Sequence, residues 1–356
     1  MKINIQGLVR PEIRTLEPYF VPDVNYDIKL DAMENPYDLP RDLKKQILQR
    51  IKQVSFNRYP DAKGMALRKA IAGYLKVSPE EVLLGNGSDE LILAILLTFG
   101  GWGKRIVYPV PTFTVYGLLA QITGGIKREV FLEEDFQLNA RKILKEYPDV
   151  VFITNPNNPT SNCFNKDEIL EIAEKSRGIV VIDEAYFEFS NRSFINQIAE
   201  YENIIILRTL SKAFGLAGLR VGYMVGSREV IKEVSKVKLP YNVNALSQAA
   251  AEIIVKNSKR ISKTVDIIKA ERAAMMEELK KVVSPFPSET NFILFLCTQA
   301  QELYKYLLKK KILVKVFSES YLRDYLRVTV GTPPENKKFL AEVKNFMSPV
   351  RNKRKP

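Results

Sequence analysis

Histidine is absent from the 356 residues of this chain. Its absence excludes Ser-His-Asp triads, histidine metal sites and histidine general bases, so no metal site is predicted and proton transfer must use Lys, Tyr, Asp, Glu or Cys. Cysteine is scarce as well, because Cys163 and Cys297 are the only two. No disulfide framework is therefore expected, and a reducing cytoplasm is the simplest setting.

Long hydrophobic runs are also missing. The longest extends only from Leu91 to Phe99, well short of the roughly 20 residues that a membrane-spanning helix needs. Near the N-terminus, Pro11 and Glu12 stand where a signal peptide would keep an apolar core. We therefore expect neither a membrane span nor a secretory leader.

Positive charge is in excess, with 54 Lys and Arg against 41 Asp and Glu and a net charge of +13. Polyanions select basic surfaces, so nucleic-acid binding is one alternative. Against it, the lysines are spread along the chain, and the dense run is confined to the tail: Arg351, Lys353, Arg354 and Lys355. We interpret the tail as solvated and predict no nucleic-acid partner, while the charge could steer anionic substrates.

The length favours two domains. Six runs rich in Val and Ile are predicted as buried strands: Glu81–Leu84, Arg105–Tyr108, Val150–Thr154, Ile179–Ile182, Ile204–Leu207 and Val221–Val225. Between them lie helical patterns at Asp89–Phe99, Phe113–Ile122, Lys166–Lys175 and Arg228–Val237. This alternation predicts an α/β fold with a mostly parallel, doubly wound sheet.

The C-terminal part restarts the pattern after a long helical region, Asn244–Lys281. Strands are predicted at Asn291–Leu296, Leu313–Phe317 and Leu326–Val330, and helices at Ala300–Lys310 and Pro334–Phe346. We therefore predict an N-terminal arm (1–30), a large domain (31–270) and a small α+β domain (271–356).

Ligands of open α/β sheets bind beyond the carboxyl ends of the strands, and two of the predicted strands end in conspicuous polar residues. After VVFIT come two Asn-Pro pairs, which hold a rigid turn in which Asn158 could present its amide to a ligand or simply form a surface turn. After IVVI comes Asp183, which should face a cation because an unpaired buried carboxylate is costly. That cation belongs either to a ligand or to a structural ion pair.

Two further strand ends are rich in glycine and polar groups. The strand IIIL leads into RTLSKAFGLAGLR, where Lys212 and Arg220 are separated by small residues that allow close approach to a ligand. The strand EVLL leads into Gly85-Asn86-Gly87-Ser88-Asp89 and an apolar helix, which is typical either of an anion site or of an ordinary capped helix.

Together these ends supply an amine, an acid, a phenol (Tyr186), an amide and an anion cradle. Pyridoxal 5'-phosphate (PLP) requires this set: a lysine for an imine with its aldehyde, an acid for its ring nitrogen, and donors for its phosphate. The sequence therefore predicts a PLP enzyme with Lys212 as the cofactor-bearing residue.

The ordered motifs NPNNPT, DEAY and TLSKAFGLAGLR resemble the fold-type-I PLP enzymes of the aspartate aminotransferase superfamily. Within it, LEPY, LDAMENPYD, RYPD, GNGSDE, PTFTVY and LRVTVGTPPEN are similar to the histidinol-phosphate aminotransferase family, and the resemblance spans nearly the whole chain. It implies a homodimeric transaminase that uses histidinol phosphate and 2-oxoglutarate.

The resemblance also implies roles for single residues. The catalytic residues would be Lys212, Asp183 and Tyr186. The cofactor would be bound by Gly87, Ser88, Asp89, Phe113, Asn158, Thr209, Ser211 and Arg220, together with Tyr59 from the other subunit. The substrate would be bound by Arg327, Tyr19 and Asn35; in isolation, Phe113 would be a core aromatic and Arg327 a strand-edge surface residue.

The chain departs from the family pattern at three places on the substrate side. Met33 stands where the family usually has asparagine, Asp38 replaces a glycine, and Lys315 occupies a position often held by arginine. Three alternatives therefore stay open: an aromatic or broad-range transaminase, a phosphothreonine-type PLP decarboxylase, and a basic nucleic-acid-binding protein on a degenerate enzyme fold.

Overall fold

The computed structural model describes residues 3–18 and 24–348. Its strands are β1 (Ile28–Lys29), β2 (Val82–Asn86), β3 (Arg105–Val110), β4 (Ile126–Phe131), β5 (Val150–Thr154), β6 (Ile179–Asp183), β7 (Ile204–Thr209), β8 (Val221–Val225), β9 (Ser284–Pro285), β10 (Phe292–Leu296), β11 (Ile312–Leu313), β12 (Lys315–Val316) and β13 (Tyr325–Thr329). Its helices are α1 (Ile5–Leu8), α2 (Pro11–Arg14), α3 (Arg41–Ile51), α4 (Met65–Leu75), α5 (Ser88–Phe99), α6 (Val115–Ile122), α7 (Ala140–Leu144), α8 (Lys166–Lys175), α9 (Phe187–Ser190), α10 (Arg228–Ser235), α11 (Ala245–Lys256), α12 (Ser258–Leu279), α13 (Ala300–Lys309) and α14 (Pro333–Met347). Within these described residues, no helix combines the length and the hydropathy that crossing a membrane requires.

Seven strands form the central sheet in the order β2-β8-β7-β6-β5-β3-β4. Strand β8 runs antiparallel to both of its neighbours, and the remaining pairs are parallel. Every residue of β5, β7 and β8 is buried, as expected for strands covered on both faces. The mostly parallel α/β sheet predicted from the sequence is confirmed, with all six predicted strands present.

Helices cover the central sheet on both faces. Neighbouring residues of one strand point to opposite faces, so in β5 Val151 joins the apolar layer beneath α3, α4 and α11, whereas Phe152 joins the layer beneath α5, α6 and α10. The sheet is therefore doubly wound, as predicted. This arrangement leaves the carboxyl ends of the strands as the place where polar loops can converge.

One strand of the central sheet, β4, was not predicted. Among the described residues it pairs with β3 alone, at the edge of the sheet, and its sequence IKREVF is largely exposed. An edge strand that faces water carries no continuous apolar run, because burial does not require one. The hydrophobic pattern that identified the six predicted strands is therefore missing from it.

The long helical region that begins at Asn244 contains two helices. The break lies at Asn257, whose φ and ψ of −106° and 22° are not helical and whose side-chain amide donates to the Ile253 carbonyl at 2.8 Å. The following helix, α12, passes through the boundary predicted between residues 270 and 271. The division into three domains stays a prediction.

A second, smaller sheet has the antiparallel order β12-β13-β10-β9 and is accompanied by α12, α13 and α14. The predicted strand Leu313–Phe317 is divided into β11, which pairs in parallel with β1, and β12, which pairs with β13. The predicted small α+β unit is confirmed.

In the N-terminal arm, residues 3–18 form two short helices. They are tied to the large unit through Gln121, whose amide donates to the Glu12 carbonyl at 2.9 Å and to Thr15 Oγ1 at 3.0 Å.

Candidate active site

A cavity of about 130 Å³ lies at the carboxyl ends of β2, β6 and β7, where the start of β8 also meets the sheet. It is lined by Met33, Ser88, Asp89, Phe113, Thr154, Asn158, Asp183, Ala185, Tyr186, Thr209, Ser211, Lys212 and Arg220. The structure thus brings ten predicted site residues, from separate parts of the chain, to one place.

Lys212 follows β7 and points its amine into this cavity. Its side chain keeps some exposure to the cavity, while the protein around it withdraws the amine from bulk water. Nζ donates to the Ala32 carbonyl at 2.9 Å. This burial, followed by repulsion from Arg327, lowers the pKa of Lys212 to about 8. A neutral, nucleophilic amine is thus accessible near physiological pH.

Asp183 is the last residue of β6 and is 3% exposed. Its carboxylate accepts hydrogen bonds from the Tyr116 hydroxyl at 2.7 Å and from the Ala185 amide at 3.1 Å. Burial raises the pKa of Asp183 to about 6. Within the described part of the chain no ion pair includes Asp183, so the cation expected beside it would belong to a ligand.

Tyr116 had no predicted role, although it closes the motif PTFTVY. It is fully buried on α6, stacks on Phe152 with 4.7 Å between ring centroids, and also hydrogen-bonds Thr154 Oγ1 at 2.7 Å. Burial raises the pKa of Tyr116 well above its ordinary value, so its hydroxyl remains a donor to Asp183. The signal for it was a polar atom on the apolar face of a predicted helix.

An anion cradle is formed by two segments: the turn where β2 leads into α5, and the end of the loop that connects β7 to β8. Gly87 has φ +80°, and a Cβ added there would lie 2.6 Å from Arg220 Nη2. Arg220, in the left-handed region at φ +51°, contacts the Asp89 carboxylate at 2.8 Å. The free backbone N–H groups at the start of α5 and the neighbouring guanidinium suit a phosphate group.

Two hydroxyl groups complete the cradle. Thr209 Oγ1 and Ser211 Oγ lie 3.0 Å apart, and the Ser211 amide donates to Thr209 Oγ1 at 3.1 Å. Both residues are buried and line the cavity. Their position beside Lys212 follows from the turn that ends β7.

The remaining cavity walls are aromatic and amide groups. Phe113 packs edge-to-face on Tyr116 with centroids 5.6 Å apart, and the buried Tyr186 ring packs in the same way on Phe292 at 5.1 Å. Burial raises the pKa of Tyr186, which keeps its phenol protonated. Asn158, 6% exposed, accepts a hydrogen bond through Oδ1 from Arg327 Nη1 at 2.5 Å.

Arg327 enters from the smaller unit. It lies on β13, is 7% exposed, and donates to Asn158 Oδ1 and, at 2.7 Å, to the Asp31 carbonyl. The alternative of an exposed strand-edge arginine is therefore wrong. A guanidinium held in this way presents a planar set of N–H donors suited to a carboxylate.

Two further predicted residues, Asn35 and Tyr59, do not line the cavity. Asn35 uses its amide to hold the Ala213 carbonyl at 2.9 Å, which ties the N-terminal segment to the Lys212 loop. Tyr59 is 80% exposed and stacks on Tyr241 with centroids 4.5 Å apart. Tyr19 falls outside the described residues. The roles assigned to these three, like those assigned to the residues that line the cavity, stay predictions.

A buried ion pair without a predicted role lies on the strands beside the site. Arg208 of β7 contacts Glu184 at 2.7 Å, and their side chains are 2% and 0% exposed. The guanidinium also lies over the Phe187 ring at 3.7 Å, and Ser193 donates to Glu184 at 2.8 Å. These contacts fix the positions of the strand ends that carry Asp183 and Lys212.

Comparisons with known proteins agree with this geometry. The family model of the class I and II aminotransferases matches residues 26–343. The histidinol-phosphate aminotransferase of Caldanaerobacter subterraneus subsp. tengcongensis is 39% identical over 351 residues, which covers 97% of this chain and 100% of that protein. The crystal structure of the histidinol-phosphate aminotransferase from Clostridium acetobutylicum superposes with a TM-score of 0.83 at 28% identity over 90% of this chain and 99% of the other. The L-threonine-O-3-phosphate decarboxylase of Porphyromonas gingivalis, at 23% identity, covers 90% of this chain and 99% of its own; with a TM-score of 0.78, it shares the fold alone.

Proposed function

The chain belongs to the class I and II aminotransferases, and from this premise we propose that it transfers the amino group of histidinol phosphate to 2-oxoglutarate. The products are imidazole-acetol phosphate and glutamate, and the reaction is a step of histidine biosynthesis. The observation that carries the proposal is the convergence of Lys212, Asp183 and the anion cradle on one cavity. The full-length similarity to a histidinol-phosphate aminotransferase supports the choice of substrate.

Pyridoxal 5'-phosphate is the cofactor of this proposal, and the cavity residues fit it. Asp183 is a buried carboxylate without a protein cation among the described residues, which suits a protonated ring nitrogen. At Gly87 the backbone has φ +80° and the position of a Cβ lies 2.6 Å from Arg220 Nη2, so the cradle suits glycine and offers donors to a phosphate. The bound cofactor supplies an electron sink for the bonds at the substrate carbon that carries the amino group.

Lys212 has two tasks in this proposal. Its amine would hold the cofactor covalently and, once the substrate amine has taken its place, would accept the proton from the substrate carbon that carries the amino group and deliver it again. A pKa of about 8 suits both tasks, because such a group exchanges protons readily near neutral pH. Tyr186 and Asn158 would fix the orientation of the ring through its hydroxyl group.

Arg327 would bind the carboxylate of glutamate or 2-oxoglutarate. The guanidinium is already oriented by Asn158 and by the Asp31 carbonyl, so little side-chain entropy remains to be lost on binding. We propose that the phosphate-bearing donor is contacted in addition by Tyr19 of a second subunit and by Asn35.

A homodimer in the cytoplasm is part of the proposal. Tyr59 and Tyr241 stack on each other and are 80% and 42% exposed, and this exposed aromatic pair supports an interface. Tyr59 would reach the cofactor phosphate of the neighbouring subunit. Mixing the Lys212→Ala and Tyr59→Ser proteins tests this sharing, because a shared site regains activity in mixed dimers and separate sites do not.

The test of the activity is half-reaction spectroscopy on the purified protein loaded with pyridoxal 5'-phosphate. Histidinol phosphate, glutamate, phenylalanine and phosphothreonine are added separately, and loss of the visible cofactor band is followed. Response to histidinol phosphate at the lowest concentration, together with a response to glutamate, is the expected result. Equal response to phenylalanine would indicate a broad-range transaminase, and release of carbon dioxide from phosphothreonine would indicate a decarboxylase.

The control is the Lys212→Ala protein. It is expected to bind the cofactor only without a covalent link and to lose turnover. Covalent binding with full turnover in this variant would contradict the assignment of Lys212. Retention on DNA by a protein that never takes up the cofactor would instead favour a nucleic-acid-binding protein on an enzyme fold.

A further inference from the structure

The backbone of residues 30–33 crosses the active site between the large unit and the smaller one. Its four successive carbonyl groups each accept a hydrogen bond. Leu30 accepts from the Thr329 amide at 2.8 Å and Asp31 from Arg327 Nη2 at 2.7 Å. Ala32 accepts from Lys212 Nζ at 2.9 Å, and Met33 from Asn291 Nδ2 at 3.0 Å. We call these four groups the carbonyl bridge.

The two middle carbonyls of the bridge face two cations. Arg327 and Lys212 lie close enough for the guanidinium to lower the pKa of the amine. Adjacent carbonyl oxygens with partial negative charge offset this repulsion and set the separation of the two groups. The bridge therefore determines where the amine stands relative to the guanidinium.

Met33 ends the bridge in a conformation that few side chains adopt. Its φ is +54°, in the left-handed region, and the residue is 8% exposed with its side chain lining the cavity. The peptide is held on both sides, because the Met33 amide donates to Thr329 Oγ1 at 3.0 Å and its carbonyl accepts from Asn291. A backbone conformation of higher energy, such as this positive φ, persists only because the surrounding hydrogen bonds hold it.

We propose that Met33 is a positioning residue whose left-handed backbone holds the carbonyl bridge over Lys212, sets the amine against Arg327 and keeps it out of bulk water. The inference rests on the proposed function only for the roles of Lys212 and Arg327. The contacts of the bridge themselves do not depend on it.

The proposal predicts a change in the ionisation of Lys212 when the backbone at residue 33 is disturbed. Burial is the largest cause of the lowered pKa, so admission of water raises it, and this outweighs the loss of the Ala32 carbonyl, which acts in the opposite direction. The charged groups that face the amine are Arg327 and Arg220, which lower its pKa, and Glu34 and Asp89, which raise it, and none of them is replaced in the variants below.

The experiment compares Met33→Ile with two matched variants in the apoprotein of the full chain. Isoleucine keeps an apolar side chain but is β-branched and disfavours positive φ; leucine is also apolar and is not β-branched; asparagine tolerates positive φ. Competitive acetylation with acetic anhydride across pH, read by mass spectrometry of the Lys212 peptide, gives the pKa of the amine without turnover.

Met33→Ile is expected to raise that pKa by about half a unit or more, while Met33→Asn and Met33→Leu keep the wild-type profile. An unchanged or lowered pKa in the isoleucine protein overturns the proposal, as does a shift in the asparagine protein alone, which would assign the effect to the side chain. If the isoleucine protein fails to fold, Thr329→Val removes the acceptor of the Met33 amide and is expected to give the same shift.

These outcomes are separate from those of the proposed function. If Lys212 of the wild-type protein does not bind pyridoxal 5'-phosphate, the proposed aminotransferase function is refuted, and the acetylation profiles of the apoprotein are unaffected. If the acetylation profiles of all variants are identical, the positioning role of Met33 is refuted, and the proposed transaminase function is unaffected.

Discussion

Replacing Arg327 by glutamine is expected to change the pH at which Lys212 becomes a nucleophile. The wild-type pKa of about 8 has two main causes, burial and the nearby guanidinium. At pH 7, a group with this pKa is about one-tenth neutral, whereas an ordinary lysine is about 0.03% neutral, so the site raises the neutral fraction about 300-fold. Removing the guanidinium of Arg327 leaves burial and the smaller effect of Arg220 to lower the pKa, which is expected to rise by about half a unit to one unit.

The measurement is again competitive acetylation of the apoprotein. Each unit of increase reduces the neutral amine at pH 7 about tenfold, so the rate of Lys212 acetylation at that pH falls by a factor of about three to ten in Arg327→Gln. Glutamine is chosen because its amide can still donate to Asn158. Arg192→Gln, at an arginine whose side chain is 62% exposed, is the control and should leave the profile unchanged.

Two results would refute this reasoning. A wild-type inflection near 10.5 would mean that the cavity does not withdraw the amine from water. A wild-type inflection near 8 that does not move in Arg327→Gln would mean that Arg327 does not lower the pKa of Lys212 and that the two cations are not coupled.

Three further substitutions test other parts of the site. Asp183→Asn should abolish most turnover yet make the apoprotein more stable at pH 7 by about 1–3 kcal/mol in urea unfolding. The pKa of the wild-type carboxyl is raised in the folded protein, so its contribution to the unfolding free energy falls as the pH rises from 3.8 to about 6. Equal stability of the two proteins at pH 7 would contradict this. Arg208→Met leaves a buried carboxylate unpaired and should lower the unfolding free energy by about 3–5 kcal/mol, whereas Arg260→Met at an exposed ion pair should be indistinguishable from wild type; similar losses in both would refute the difference. Gly87→Ala places a Cβ 2.6 Å from Arg220 Nη2 at φ +80° and should weaken pyridoxal 5'-phosphate binding in equilibrium dialysis by about tenfold or more; unchanged affinity would show that the phosphate binds elsewhere.

The inner strands were predictable because strands that are buried on both faces have continuous runs of apolar residues in their sequences. Val150–Thr154 and Val221–Val225 were predicted with the bounds that the structure has. The edge strand β4 was not, because its residues IKREVF face water and have no apolar pattern. Local patterns therefore identify an element only where packing demands one.

Most of the cavity was predictable for a related reason. Asp183, Lys212 and the residues around Gly87 each follow a buried strand, and parallel strands place their carboxyl ends at one edge of the sheet. Tyr116 was missed because a polar atom on an apolar helix face indicates a buried hydrogen bond but does not identify its acceptor, which is Asp183.

By itself, the sequence determined the alternation of strands and helices, the family motifs and the order in which reactive groups follow the strands, because each of these depends on neighbours along the chain. Only the tertiary structure decided that Arg327 would contact Asn158, 169 positions away, and that the carbonyls of Asp31 and Ala32 would hold Arg327 and Lys212 side by side. Such contacts arise when two separately formed sheets and the segment between them pack together, and residue spacing along the chain contains no measure of that distance in space.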